Sequence, residues 1–287
     1  MFEGTTVALV TPFDNGKIDW KTLEKLLDFH LEKGTDVILP CGTTGESATL
    51  THEEHREVIK FVVEKVGKRR KVLAGTGSNS TEEALELSLF AQEVGADGVL
   101  LITPYYNKPT QRGLYLHFER IARQLSIPVV LYNVPSRTGV NLEFSTVKDL
   151  SRVPNIVAVK EASGNLDQIM RIISLESITV LSGDDSLTFP IIALGGKGVV
   201  SVAANLVPQE IKEMVDLALE GKWEEARKIH YRLYPLFKVL FIETNPIPVK
   251  TALGILGMIK EEFRLPLAPM KEENRKELIR VMKLLNL

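Results

Sequence analysis

Eight short runs rich in β-branched residues recur along the chain, each followed by a loop and then an amphipathic stretch. They are Thr6–Val10, Val37–Leu39, Lys71–Ala74, Gly98–Ile102, Pro128–Tyr132, Ile156–Lys160, Thr179–Ser182 and Gly198–Val202. Most are apolar on consecutive residues, the pattern of strands covered on both faces of a parallel sheet. Between them Trp20, Leu23, Leu27 and Leu31 mark a helical face behind Asp19, a good N-cap. Thr51 with Glu54, and Ser80 with Glu83, read as capping boxes, and Gly34, Gly67 and Gly95 stand where helices should stop. Eight strand–helix units in about 200 residues predict an α/β fold, a closed (β/α)8 TIM barrel, over residues 1–207. An open doubly wound sheet, with fewer strands, is the competing arrangement. From Pro208 no strand run remains. Residues 208–287 read as a C-terminal helical region with helices over Pro208–Glu220, Trp223–Phe241 and Lys271–Leu285 and a Pro/Gly-punctuated segment before the last.

Composition excludes several functions. Lys plus Arg number 35 and Asp plus Glu 37, a net charge of −2, which gives no footprint for nucleic acid or an anionic membrane. Cys41 is the only cysteine, so neither an internal disulfide nor a cysteine-based metal cluster is available. The five histidines (His30, His52, His55, His117, His230) do not end strands, and no metal or cofactor is expected. His52 and His55 read as exposed residues of a first helical turn. No secretory signal or membrane-length apolar run is visible, so a soluble, cytoplasmic protein is expected.

In a barrel the chemistry lies at the C-terminal ends of the strands. The second run leads into Cys41-Gly42-Thr43-Thr44-Gly45-Glu46-Ser47, a turn able to hold a carboxylate or phosphate, although it lacks the lysine of a P-loop. The fifth ends at Tyr132, followed by Arg137, whose guanidinium suits a carboxylate. The sixth ends in Lys160. An ammonium behind Ile156-Val157-Ala158-Val159 is costly unless it is paired, with Glu161 for example, or its pKa falls. A desolvated lysine is a nucleophilic amine suited to forming a Schiff base with a carbonyl. The seventh ends in Ser182-Gly183-Asp184-Asp185, whose carboxylates disfavour a phosphate there.

Gly42-Thr43-Thr44-Gly45-Glu46, Tyr132-Asn133-Val134-Pro135 and Val157-Ala158-Val159-Lys160-Glu161-Ala162 resemble the pyruvate-dependent class I aldolases. Gly45–Leu50, Thr103–Pro109, Ser136–Gly139 and Asn245–Lys250 narrow the resemblance to the dihydrodipicolinate synthase family, over nearly the whole chain. The resemblance implies condensation of pyruvate with L-aspartate 4-semialdehyde on the diaminopimelate route to lysine, without a cofactor. It implies Lys160 as the Schiff-base lysine and Tyr132, Thr43 and Tyr106 as a proton relay, with Tyr106 reaching the site from a neighbouring subunit of a homotetramer. Thr44 falls at the pyruvate-carboxylate position, Arg137 at the semialdehyde-carboxylate position, and Gly183 and Val200 along the pyruvate pocket. Ser47, Ala48, His52, His55, Asn79, Glu83 and Tyr105 fall at the positions of an inhibitory L-lysine site, although Glu83 also fits its capping box and His55 a surface helix. Another pyruvate-dependent lyase, acting on N-acetylneuraminate or a 2-keto-3-deoxy sugar acid, is the alternative, and Arg137 in Ser-Arg-Thr-Gly argues for a short substrate carrying a carboxylate. A barrel that only binds its ligand, or a phosphate-binding barrel, fits the residues less well.

Overall fold

The computed structural model describes residues 1–287. Eight parallel strands close into a barrel in sequence order. These are β1 (Gly4–Ala8), β2 (Val37–Leu39), β3 (Lys71–Gly75), β4 (Gly98–Ile102), β5 (Val129–Asn133), β6 (Ile156–Glu161), β7 (Thr179–Ser182) and β8 (Gly198–Ser201). β8 closes on β1 with Gly4 opposite Gly198. A Cβ on Gly198 would lie 2.1 Å from the Gly4 carbonyl oxygen, so the seam requires glycine there. The first strand starts and ends two residues earlier than its apolar run, and beyond it the Val10 amide donates to Asn205 Oδ1 rather than to a neighbouring strand.

The outer ring is α1 (Trp20–Glu32), α2 (His52–Val66), α3 (Thr81–Glu93), α4 (Gln111–Ala122), α5 (Phe144–Leu150), α6 (Leu166–Ile173), α7 (Thr188–Ala193) and α8 (Pro208–Leu219). The caps form as the sequence predicts at Asp19 and Thr51. Helix α8 packs on β1 and β8 and is the eighth helix of the barrel. The last barrel helix therefore follows residue 207, in the segment that the sequence places at the start of the C-terminal helical region. Three further helices follow: α9 (Trp223–Val239), α10 (Ile247–Ile255) and α11 (Glu272–Leu284). Helix α10 occupies the segment that read as Pro/Gly punctuation. A short hairpin, Phe13–Asp14 with Lys17–Ile18, turns through Asn15 and Gly16, both at positive φ. No helix is long and apolar enough to cross a membrane.

Strand alternation sorts the side chains into two cores. Ile38, Val129, Leu131, Val159, Val180 and Val199 pack outward against the helices. Val37, Leu39, Leu73, Leu100, Val130, Ala158, Leu181 and Val200 fill the barrel interior, with Phe2 beneath them. The same alternation turns Tyr132 and Lys160 inward and Asn133 and Glu161 outward.

Candidate active site

Parallel pairing sets Tyr132 of β5 directly beside Lys160 of β6. Both are buried, and the Lys160 Nζ sits 3.9 Å from the centre of the Tyr132 ring. Burial pushes the lysine pKa down from 10.5 to about 7, with a smaller push from the Arg137 guanidinium and a counter-pull from Asp185. An amine of this kind is substantially neutral, hence nucleophilic, at neutral pH. Glu161 is no partner for it. It lies on the outer face of β6, where Asn133 Nδ2 (2.5 Å) and Ser163 Oγ (2.7 Å) donate to its carboxylate.

Lys160 opens into a cavity of about 620 Å³ at the C-terminal mouth, lined also by Thr43, Thr44, Tyr132, Arg137, Gly183 and Val200. Burial raises the Tyr132 phenol pKa, opposed by Arg137 and by the neighbouring Thr43 hydroxyl, so the hydroxyl stays protonated and able to donate. Gly183 is required by space: a Cβ would stand 2.7 Å from the Ala162 Cβ and 3.2 Å from the Lys160 Cε. Asp184 lines the cavity. Asp185 does not share that exposure. It is buried beneath the mouth, accepting from Ser201 Oγ (2.5 Å) and from the amides of Val202 (3.0 Å) and Ala203 (3.1 Å). Burial raises its pKa to about 6. Only one of the two carboxylates therefore faces the cavity.

The structure adds Asn245, just before α10. Its Nδ2 donates to Thr44 Oγ1 (3.0 Å), and its carbonyl accepts from Arg137 Nη2 (3.1 Å). One residue of the C-terminal region thus ties together two walls of the cavity. Its place in Asn245–Lys250, after the last strand, gave no sign of this contact.

Tyr106 lies apart from these residues. It is 90% exposed, lines neither this cavity nor the one beside it, and holds φ at +72° in a loop where Lys108 is also left-handed. Such backbone persists only where its surroundings impose it.

A second cavity, of about 460 Å³, is lined by Ser47, Ala48, His52, His55, Glu83 and Tyr105. Asn79 stands behind it, donating to the Tyr105 carbonyl (3.2 Å). Glu83 forms only half of the expected capping box. Ser80 caps the Glu83 amide, but the Glu83 carboxylate turns to Ser78 Oγ and to His52 Nε2 (3.1 Å). His55 is buried, contrary to the surface position that the sequence suggested, because it continues the inner face of α2 that carries Ile59, Val62 and Val66. Its Nε2 donates to the Gly75 carbonyl (2.7 Å), and burial lowers its pKa. Cys41 forms part of the floor; burial raises its thiol pKa and keeps it unreactive. Thr43, Tyr132, Arg137 and Asn245 line both cavities, so the two share a wall.

The family model described as the dihydrodipicolinate synthetase family matches residues 1–285. The chain belongs to this family. It is 57% identical to the 4-hydroxy-tetrahydrodipicolinate synthase of Aquifex aeolicus, over 100% of this chain and 99% of that protein. Two family crystal structures superpose closely. Dihydrodipicolinate synthase from Acinetobacter baumannii complexed with pyruvate gives a TM-score of 0.98 at 44% identity, covering 100% of this chain and 99% of that one. The Cyanidioschyzon merolae enzyme with lysine bound gives 0.97 at 44%, with the same coverage. Family membership agrees with the closed barrel and with the resemblance drawn from the motifs.

Proposed function

We propose that the chain condenses pyruvate with L-aspartate 4-semialdehyde through a Schiff base on Lys160, giving 4-hydroxy-tetrahydrodipicolinate on the diaminopimelate route to L-lysine. The observation that carries this reading is Lys160 itself, a buried amine with its pKa lowered to about 7 at the mouth of the barrel. The neutral amine attacks the ketone carbon of pyruvate. The carbinolamine then loses water, and the Tyr132 hydroxyl, which lines the cavity together with Thr43, supplies and collects the protons. The resulting iminium draws electrons from the neighbouring methyl group, which loses a proton to become an enamine. The enamine carbon attacks the aldehyde. The substrate's own amino group then displaces Lys160, closing the ring and freeing the enzyme. In this reading Thr44 receives the pyruvate carboxylate and Arg137 the semialdehyde carboxylate, with Gly183 and Val200 shaping the pocket. Tyr106 completes the relay from the partner subunit of a homotetramer, and its exposure supports that assignment. The same reading gives a cytoplasmic enzyme.

L-Lysine is proposed as an inhibitor bound in the second cavity. Glu83 and the imidazoles of His52 and His55 offer partners for one end of the amino acid. Ser47, Ala48, Asn79 and Tyr105 frame the other. The shared wall of Thr43 and Tyr132 supplies a physical route for coupling, and by linkage pyruvate must then alter lysine affinity.

Pyruvate consumption dependent on added aspartate 4-semialdehyde, and lost in Lys160→Ala, is the expected result. Release of pyruvate from N-acetylneuraminate or a 2-keto-3-deoxy sugar acid, with no condensation on aspartate 4-semialdehyde, would replace this reading with the lyase alternative.

A further inference from the structure

Beneath the turn that carries Thr43 and Thr44 lies a charge pair with no contact to solvent. The side chains of Glu46 and Lys250 are both 0% exposed, with Lys250 Nζ 2.5 Å from Glu46 Oε1. The ammonium also lies 4.3 Å from the centre of the Phe13 ring and 5.3 Å from that of Phe263. The second Glu46 oxygen accepts from the Arg264 amide at 3.4 Å. Lys250 lines neither cavity.

Taking two charges fully out of water is expensive, and such a pair adds little net stability over well-packed apolar residues. What it supplies is a fixed geometry. Here that geometry belongs to the turn. The amides of Gly45 and Glu46 close back onto the carbonyls of Gly42 and Thr43, each at 3.1 Å. Glu46 is left-handed, φ +54°, and is not glycine, a conformation that its surroundings must impose. Gly45 is pressed against Leu9, whose carbonyl would stand 3.0 Å from an added Cβ. Thr11 Oγ1 holds the Gly45 carbonyl at 2.7 Å. The turn is therefore pinned from the barrel side by Thr11 and from the C-terminal side by Lys250. Five residues before Lys250, Asn245 touches the Thr44 hydroxyl.

We propose that Lys250 is a positioning residue, whose ion pair with Glu46 holds the Thr43–Thr44 turn in the shape that receives the carboxylate of pyruvate. The proposal rests on the assignment of Thr43 and Thr44 to the pyruvate site. Lys250 touches no reacting atom; it acts through Glu46 and the backbone between Glu46 and Thr43.

The test is borohydride trapping of pyruvate on the full-length enzyme as a function of pyruvate concentration, with the KM for the aldehyde measured in parallel. Lys250→Met, folded by circular dichroism at the assay temperature, should raise the half-saturating pyruvate concentration about tenfold, equivalent to ~1.4 kcal/mol. The KM for aspartate 4-semialdehyde should stay within about twofold of wild type. The double variant Glu46→Gln/Lys250→Met leaves no buried charge unpaired, and serves also if Lys250→Met does not fold. It should regain the thermal midpoint without regaining pyruvate affinity. Recovery of both together, or trapping by folded Lys250→Met at wild-type pyruvate concentrations, would overturn the positioning role. A wild-type enzyme that fails to trap pyruvate at all would instead refute the underlying assignment.

Discussion

Replacing Lys160 with methionine should make the protein more stable, and by an amount that depends on pH. Methionine keeps an unbranched chain and removes the buried amine. In the wild type that amine titrates near 7, against 10.5 for an unperturbed lysine, chiefly because burial penalises its charge. Between those two values the unfolded chain holds a proton that the folded chain has released, so this group makes wild-type stability rise with pH across that window. Below pH 7 both states carry the proton, and the full cost is present. At 1.36 kcal/mol per pKa unit, the cost is about 5 kcal/mol at pH 6 and about 1 kcal/mol at pH 9.5. At pH 6, where the folded lysine is charged, loss of the contact between the ammonium and the Tyr132 ring offsets about 1–2 kcal/mol. Lys160→Met should therefore be about 3 kcal/mol more stable than wild type at pH 6, a rise of roughly 6 °C in thermal midpoint, and only about 1 kcal/mol more stable at pH 9.5, where the folded amine is already neutral. Urea and thermal unfolding of both proteins at the two pH values read this directly, since every other titrating group cancels in the difference. Parallel pH slopes, or a variant weaker than wild type at pH 6, would refute the claim that burial sets the state of Lys160.

Gly183→Ala should fold yet trap pyruvate at least about tenfold less well, because the new Cβ meets Ala162 and the Lys160 stem; trapping per folded molecule measures it. Arg137→Leu should raise the KM for aspartate 4-semialdehyde about 50-fold through loss of a charged partner for its carboxylate. It should also move the onset of pyruvate trapping to higher pH, since Arg137 contributes to lowering the Lys160 pKa; a pH–rate profile reads the shift. Mixed oligomers of Lys160→Ala and Tyr106→Phe chains should recover about a quarter of wild-type activity, because each hybrid pair contains one complete site if Tyr106 acts on the neighbouring chain. No recovery after confirmed subunit exchange would return Tyr106 to its own chain.

The barrel was legible because each strand is a short apolar run and the first three helices announce their caps at Asp19, Thr51 and Ser80. Lys160 and Tyr132 were legible for a related reason: they end such runs, and strand alternation from Ala158 and Val130 turns both inward. Position on an element is a local property that sequence carries well. Partnership across the fold is not. Glu46 and Lys250 are 204 residues apart and meet only because the chain returns over the barrel mouth. Helix α10, which carries Lys250, follows Asn245-Pro246 and is buried over Ile247–Leu253, so it lacks the polar face that would have marked it as amphipathic. Glu83 had the spacing of a capping residue, but the nearby Ser78 and His52 claim its carboxylate. His55 had the composition of a surface residue, but lies on the inner face of α2. The Asn15-Gly16 hairpin did carry its own sequence signal, on strands too short for an apolar run to register.

The central claim is that Lys160 forms an imine with pyruvate, and the most direct measurement is peptide mass mapping after borohydride reduction of the enzyme with pyruvate. The account predicts the mass of a reduced pyruvate imine on the peptide carrying Lys160, with no label in Lys160→Ala. Label on another lysine, or none on a folded wild-type enzyme that consumes pyruvate, would contradict it.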